Sequence, residues 1–202
     1  MIEKDGRKAQ QLWLACQTLV RTLDGDDDPD AASRKVALAA DIRAVKEAGN
    51  EHVFVNTVIN SIPERSLIEG VHTQAALLAR FVKVKKMGRR VAMIDETGGS
   101  LMKYLLSYVQ SLLVVDPVRA LGPDDHLPAD QLDTFALLAC AERCLFADGD
   151  LEQAVRFVRQ LRGQASVVAA DWLREATLLL ETRQAADALL GHASACGLGS
   201  LF

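Results

Sequence analysis

The residues best suited to chemistry form a basic run between positions 80 and 90. The segment RFVKVKKMGRR carries six positive charges and no negative charge in eleven residues. One apolar stripe of a helix is predicted by the 4, 3, 4 and 3 spacing of Leu77, Phe81, Val84, Gly88 and Val91. With about 100° between successive helical residues, Lys83, Lys86 and Arg90 point away from this stripe. Such a helix can bind an anionic membrane surface, where each cation contributes ~1 kcal/mol. The candidate lipid-binding cations are Arg80, Lys83, Lys85, Lys86, Arg89 and Arg90.

A solvated surface is the alternative interpretation of this run, because charge runs usually are solvated and acidic residues Asp95 and Glu96 follow it. Nucleic acid is a weaker candidate for two reasons. The net charge of −4 gives no overall attraction to polyanions. The run also lacks an accompanying zinc finger, RNA-recognition motif or helix-turn-helix signature. We therefore predict no nucleic-acid partner.

Catalytic and cofactor motifs are absent from the sequence. It contains no G-x-S-x-G, Walker loop, H-E-x-x-H or dinucleotide fingerprint. The four histidines are scattered and are interpreted as structural or surface residues. Cys140 and Cys144 lie one helical turn apart, a spacing that suits a metal or a redox pair, but we interpret them as apolar filler on an Ala/Leu-rich helix. The sequence thus predicts no enzyme, cofactor or metal.

The elements that must position these residues are helical. Alanine and leucine contribute 29 residues each and aromatic residues only 5%, a balance that favours helices over strands. All five prolines fall between helical patterns. We predict an all-α bundle of about seven to eight helices. The helical patterns cover residues 4–23, 35–48, 51–62, 73–94, 100–115, 131–147, 151–162, 167–181 and 184–196, with a turn and aspartate cap at 148–150. In the first of them, an apolar stripe is formed at 4, 3 and 4 spacing by Leu12, Cys16, Leu19 and Leu23.

Two of these patterns, 73–94 and 100–115, predict a long amphipathic hairpin or a bent helix with two heptad-like packing seams, and hence a homodimer. The second of them is apolar nearly all round, which indicates burial on two sides. The C-terminal helices are expected to cover part of it, through Phe135, Leu138, Trp172 and Leu179. The remainder either forms a groove for a small amphipathic partner helix or is covered by the chain's own helices. The candidate partner-binding residues are Tyr104, Tyr108, Leu112 and Leu113.

Several strings resemble the C-terminal part of the mitofilin family, the large subunit of the MICOS complex. They are KAQQLWLACQTL, IPERSLIEGVHTQAALLARF, GRRVAMIDETGGSLMKYLLSYVQSLL and DWLREATLLLETRQ. The resemblance spans most of the chain and is weakest at the acidic run 24–34 and the proline-rich connector 116–130. The chain is expected to begin where the family's coiled coil ends, without its presequence, transmembrane helix and coiled coil.

The resemblance implies a non-catalytic crista-junction scaffold of the mitochondrial inner membrane that faces the intermembrane space, shapes membrane and recruits MICOS partners. It implies a lipid-binding region at 1–95 and a mitofilin domain at 96–202 that binds a CHCH-domain subunit. The family's lipid-contacting Arg-Phe pair falls on Arg80 and Phe81, although periodicity places Phe81 on the packing stripe. The alternative function is a purely protein-binding helical adaptor without membrane affinity. The turn and helix GDLEQAVRF, interpreted as an isolated helical hairpin, favours this alternative.

Overall fold

The computed structural model describes residues 2–25, 35–92 and 133–199. Within these ranges the chain forms eight α-helices and one pair of two-residue strands, so the predicted all-α class is confirmed. The helices are α1 (Ile2–Asp24), α2 (Ala39–Ala48), α3 (Val53–Ser61), α4 (Glu64–Glu69), α5 (Gln74–Ala92), α6 (Thr134–Arg143), α7 (Leu151–Val158) and α8 (Gly163–Gly199), and the strands are β1 (Lys35–Val36) and β2 (Val71–His72).

The chain divides into two compact units. The terminal unit comprises Met1–Ala76 and Thr177–Phe202, and the central unit comprises Leu77–Ala176. The boundary predicted from the sequence, between residues 95 and 96, lies outside the described residues and stays a prediction. None of the described helices is both long and apolar enough to cross a membrane.

The core of the terminal unit follows the predicted stripe of α1. Leu12, Cys16, Leu19 and Leu23 are spaced by 4, 3 and 4 residues, and each is at most 2% exposed. Helix α1 packs on α2, and α2 packs on α3. Burial raises the pKa of the Cys16 thiol to about 11, so Cys16 stays protonated at neutral pH and acts as a small apolar residue.

The short strand pair was not predicted from the sequence. Lys35 pairs with His72 and Val36 with Val71 in an antiparallel register. Gly70 makes this pairing possible, since its φ is 75° and a Cβ atom there would lie 2.3 Å from the carbonyl oxygen of Val36. The predicted helix at 35–48 therefore begins only at Ala39. Two alternating residues are too short a signal for a strand to be recognised.

The central unit confirms the predicted turn at 148–150. After α6 the backbone widens into a π-helical turn, Cys144–Asp148, which ends at Gly149 with φ 67°. The Asp150 carboxylate then accepts a 2.9 Å hydrogen bond from the backbone N–H of Gln153 and caps α7. Helix α6 is capped in the same way, by Asp133 at 2.8 Å from the Ala136 N–H.

One prediction about the C-terminal region is wrong. Residues 167–181 and 184–196 are not two helices but parts of one 37-residue helix, α8. No glycine or proline lies between the two patterns, so nothing stops the helix there. The Thr182 hydroxyl lies within this continuous stretch and is fully buried, 2.8 Å from both the Leu178 carbonyl and the Ser66 hydroxyl.

Candidate membrane-binding surface

Helix α5 carries the basic run and is held to the central unit by two aromatic rings. Phe81 is completely buried, and its ring centroid lies 5.0 Å from that of Trp172 on α8. The Trp172 Nε1–H donates a buried 2.9 Å hydrogen bond to the carbonyl oxygen of Leu77. Because this bond satisfies the only polar group of the indole, the ring can be buried without an unpaired donor.

Arg80, next to Phe81, also makes a contact within the protein. Its guanidinium lies 2.6 Å from the Asp171 carboxylate, which Arg174 also contacts. The hydrogen bond from Arg174, together with the charge of Arg80, lowers the pKa of Asp171 and so stabilises its charged carboxylate. Arg80 therefore supports the contact between α5 and α8 in this structure.

Lys85 differs from its neighbours because it is only 8% exposed. Its Nζ donates a 2.6 Å hydrogen bond to Glu142 on α6. Gly88 lies one turn further on, where a Cβ atom would meet Leu138 at 3.0 Å, so glycine permits the close approach of α5 and α6. Arg89 covers the Phe135 ring, with its guanidinium carbon 5.7 Å from the ring centroid.

The burial of Lys85 shows that α5 is rotated from the predicted orientation. The sequence stripe included Val84 and Val91, but both are half-buried, whereas Leu77 and Phe81 are fully buried. The buried side is displaced by about 40° toward Lys85 at 100° per residue. An apolar pattern alone cannot predict this displacement, because it depends on Glu142, whose carboxylate accepts the hydrogen bond of the buried Lys85 ammonium group.

The exposed side of α5 combines positive charge with apolar surface. Lys83, Lys86 and Arg90 are exposed there, as the periodicity predicts. Val82 and Met87 lie among them and are 52% and 45% exposed. At 100° per residue these five side chains occupy one arc of about 140°. We call this arc, formed by Val82, Lys83, Lys86, Met87 and Arg90, the basic face.

Comparison with known proteins assigns the chain to a family. The family described as "Mitofilin: Mitochondrial inner membrane protein" matches residues 1–194. The chain is 34% identical over 201 residues to the MICOS complex subunit Mic60 of Drosophila melanogaster, an alignment that covers 97% of this chain and 27% of that protein. The chain belongs to the mitofilin family. The resemblance predicted from the sequence motifs is thus confirmed.

A second relative of this mitofilin chain is the MICOS complex subunit MIC60-2 of Caenorhabditis elegans, which is 29% identical over 203 residues, covering 98% of the chain and 31% of that protein. The chain spans about 30% of the length of these curated relatives. No solved structure matches it. The family is thus one of mitochondrial inner membrane proteins, and both relatives are named as subunits of the MICOS complex.

The predicted helix 100–115 of this mitofilin chain lies outside the described residues. The partner-binding residues on it, and its part in the predicted hairpin and dimer seam, therefore stay predictions. Of the residues expected to face that helix, Leu138, Trp172 and Leu179 are buried and Phe135 is half-buried. The predicted partner-binding residues are Tyr104, Tyr108, Leu112 and Leu113.

The sequence analysis of residues 80–90 did not predict that Val82 and Met87 belong to the exposed surface of this mitofilin helix, because only the charges on its polar side were used. Their signal was available, since two large apolar residues lie off the predicted stripe and directly beside Lys83 and Lys86. Apolar residues interspersed with cations are typical of helices that lie in a membrane interface.

Proposed function

We propose that this chain contributes to a non-catalytic crista-junction scaffold of the mitochondrial inner membrane, and that its basic face binds anionic lipid. The observation that carries the proposal is the arrangement on α5, where three exposed cations and two exposed apolar side chains share one side of the helix. Membership in the mitofilin family supports the choice of an inner-membrane ligand.

In this proposal the cations contact lipid headgroups while Val82 and Met87 enter the boundary between headgroups and acyl chains. Arg80 and Phe81 have a different role, because Arg80 forms an ion pair with Asp171 and Phe81 packs on Trp172. For Phe81 to insert into lipid, α5 would first have to separate from Trp172. Arg80, Phe81 and Lys85 therefore orient the helix, and Lys83, Lys86 and Arg90 contact the membrane.

The test is liposome co-sedimentation of the 202-residue chain and of its Lys83→Glu/Lys86→Glu/Arg90→Glu variant. Each cation near an anionic surface contributes ~1 kcal/mol, so losing three predicts a fall in affinity of about 100-fold. Binding of the unaltered chain should require anionic lipid and weaken as salt increases, because the contacts are exposed to solvent.

A charge-matched control variant is Arg156→Glu/Arg159→Glu/Arg162→Glu, whose three positions are also exposed and also lie in the central unit. We expect this control to bind anionic liposomes to within a few-fold of the unaltered chain. Equal losses in the two variants would show that only net charge matters and would contradict a specific basic face. No liposome binding by the unaltered chain would favour the protein-binding adaptor instead.

We further propose that residues 96–202 bind a MICOS partner through a small amphipathic helix, of the kind that a CHCH domain presents. The relatives' names as MICOS subunits support a MICOS partner for this chain. Tyr108→Ala and Leu113→Asp are expected to weaken the partner complex at least about 10-fold by calorimetry, since aromatic and aliphatic anchors dominate helix-in-groove binding. Unchanged affinity in both variants, with the helical content intact, would place the partner elsewhere.

A further inference from the structure

In the terminal unit, His52 meets a histidine and a cysteine that lie about 140 residues further along the chain. The side-chain ligand atoms of His52, His192 and Cys196 all lie within 4.8 Å of one another. The Cys196 sulfur is 3.5 Å from His192 Nε2, and the two imidazole rings have centroids 5.3 Å apart. All three side chains are half-buried, so the cluster is partly shielded from solvent and an ion from solution can still reach it.

The fold holds these three residues in place. His192 and Cys196 are four residues apart on α8, which puts both on one side of the helix, one turn apart. His52 precedes α3; its backbone N–H donates to the Gly49 carbonyl at 2.9 Å, and its own carbonyl accepts from the Asn56 N–H at 3.2 Å. The Phe54 ring packs against His192, with the centroids 4.6 Å apart. The cluster is therefore built on ordered backbone.

Two imidazoles and one thiolate are a donor set that Zn²⁺ accepts in tetrahedral sites. With zinc–nitrogen distances of about 2.0–2.1 Å and a zinc–sulfur distance of about 2.3 Å, tetrahedral angles separate nitrogen from sulfur by about 3.6 Å. The observed distance of 3.5 Å between His192 Nε2 and the Cys196 sulfur agrees with that value. The ligand atom of His52 lies within 4.8 Å of both, so the third ligand is already close to the position that tetrahedral coordination needs.

We propose that His52, His192 and Cys196 bind one zinc ion, with a water molecule in the fourth position. On binding, the thiol of Cys196 releases its proton to solvent, and both histidines coordinate as neutral imidazoles. The ion would cross-link the start of α3 to the last turns of α8, elements that no disulfide joins, since all four cysteines are free thiols. The site lies in the terminal unit and is independent of the basic face on α5.

The experiment is a titration of the reduced, metal-free 202-residue chain with zinc chloride, followed by calorimetry and by thermal unfolding. We expect one ion per chain and a higher unfolding temperature in its presence, because zinc binds the folded state preferentially. Cobalt(II) is the spectroscopic probe, and it should give the visible bands of tetrahedral coordination together with a sulfur-to-cobalt charge-transfer band.

Cys196→Ser should weaken zinc binding at least about 100-fold. Removing a residue that only hydrogen-bonds to a metal ligand already lowers metal affinity about 10–100-fold, and Cys196 would be a ligand itself. It should also abolish the charge-transfer band. The matched control is Cys140→Ser, which removes another half-buried thiol from the central unit and should change neither result. His52→Gln provides a second variant in case Cys196→Ser does not fold.

Three results would overturn the proposal. The first is zinc binding that survives Cys196→Ser or His52→Gln in folded protein, because the ion would then use other ligands. The second is loss of binding in Cys140→Ser, which would place the ion near α6. The third is the absence of one-to-one binding at micromolar zinc, which would leave Cys196 and His192 as a hydrogen-bonded pair without a metal.

Discussion

Replacing Trp172 with alanine is expected to lower the free energy of unfolding by about 3–5 kcal/mol, a typical loss for removing a large buried aromatic side chain. Trp172 is 1% exposed and packs on the completely buried Phe81. Alanine would leave a cavity beside Phe81 and remove the hydrogen bond to the Leu77 carbonyl. Urea unfolding followed by circular dichroism measures the loss.

Trp13 provides the control, because it is the other tryptophan of the chain and is 37% exposed. Trp13→Ala should cost clearly less than Trp172→Ala, since a partly exposed side chain loses less burial on folding. It also leaves Trp172 as the sole tryptophan, so that fluorescence reports the environment of α5 and α8 directly. Similar losses in the two variants would contradict the central role of Trp172.

Those parts of the fold that depend on short-range patterns were predictable from the sequence. The stripe Leu12, Cys16, Leu19 and Leu23 predicted both α1 and its buried side. Gly149 and Asp150 predicted a helix stop followed by a cap, because each residue type has a local conformational preference that operates within one turn. Such signals need no knowledge of the rest of the chain.

The features that the sequence did not reveal depend on contacts between distant residues. In the sequence, His52 and His192 are isolated residues. Only the packing of α3 and α8 brings their rings together. The pairing of β1 with β2 joins residues 35 and 72, and neither strand carries a recognisable pattern. The length of α8 was missed for a different reason, since its apolar residues drift around the helix as its neighbours change along 37 residues.

The basic run shows the same limit within a single helix. Its six cations look equivalent in sequence, but the structure separates them by environment. Arg80 binds Asp171, Lys85 binds Glu142 and Arg89 covers Phe135. Lys83, Lys86 and Arg90 are exposed. The acidic and aromatic residues that contact Arg80, Lys85 and Arg89 come from α6 and α8 and lie more than forty residues away in sequence, so the basic run alone does not show which cations face solvent.

This separation predicts opposite effects for Lys85 and Lys83, two lysines on one helix. Lys85→Met breaks the hydrogen bond to Glu142 and should cost about 1.5–3 kcal/mol of stability, the range for hydrogen bonds to charged groups. Liposome affinity should stay unchanged, because the basic face is intact. Lys83→Met should change stability by less than about 0.5 kcal/mol. It should weaken liposome binding about 5-fold, the equivalent of ~1 kcal/mol.

The double variant Lys85→Met/Glu142→Leu separates a structural role for Lys85 from any direct contact with lipid. Replacing both members of a buried ion pair by apolar residues is often neutral or stabilising. The Lys85–Glu142 pair is part-buried, so the double variant should recover most of the stability that Lys85→Met loses. Liposome affinity should then be equal in the unaltered chain, the single variant and the double variant. A fall in affinity that persists after stability is restored would mean that Lys85 reaches lipid, and that α5 leaves α6 when the membrane binds.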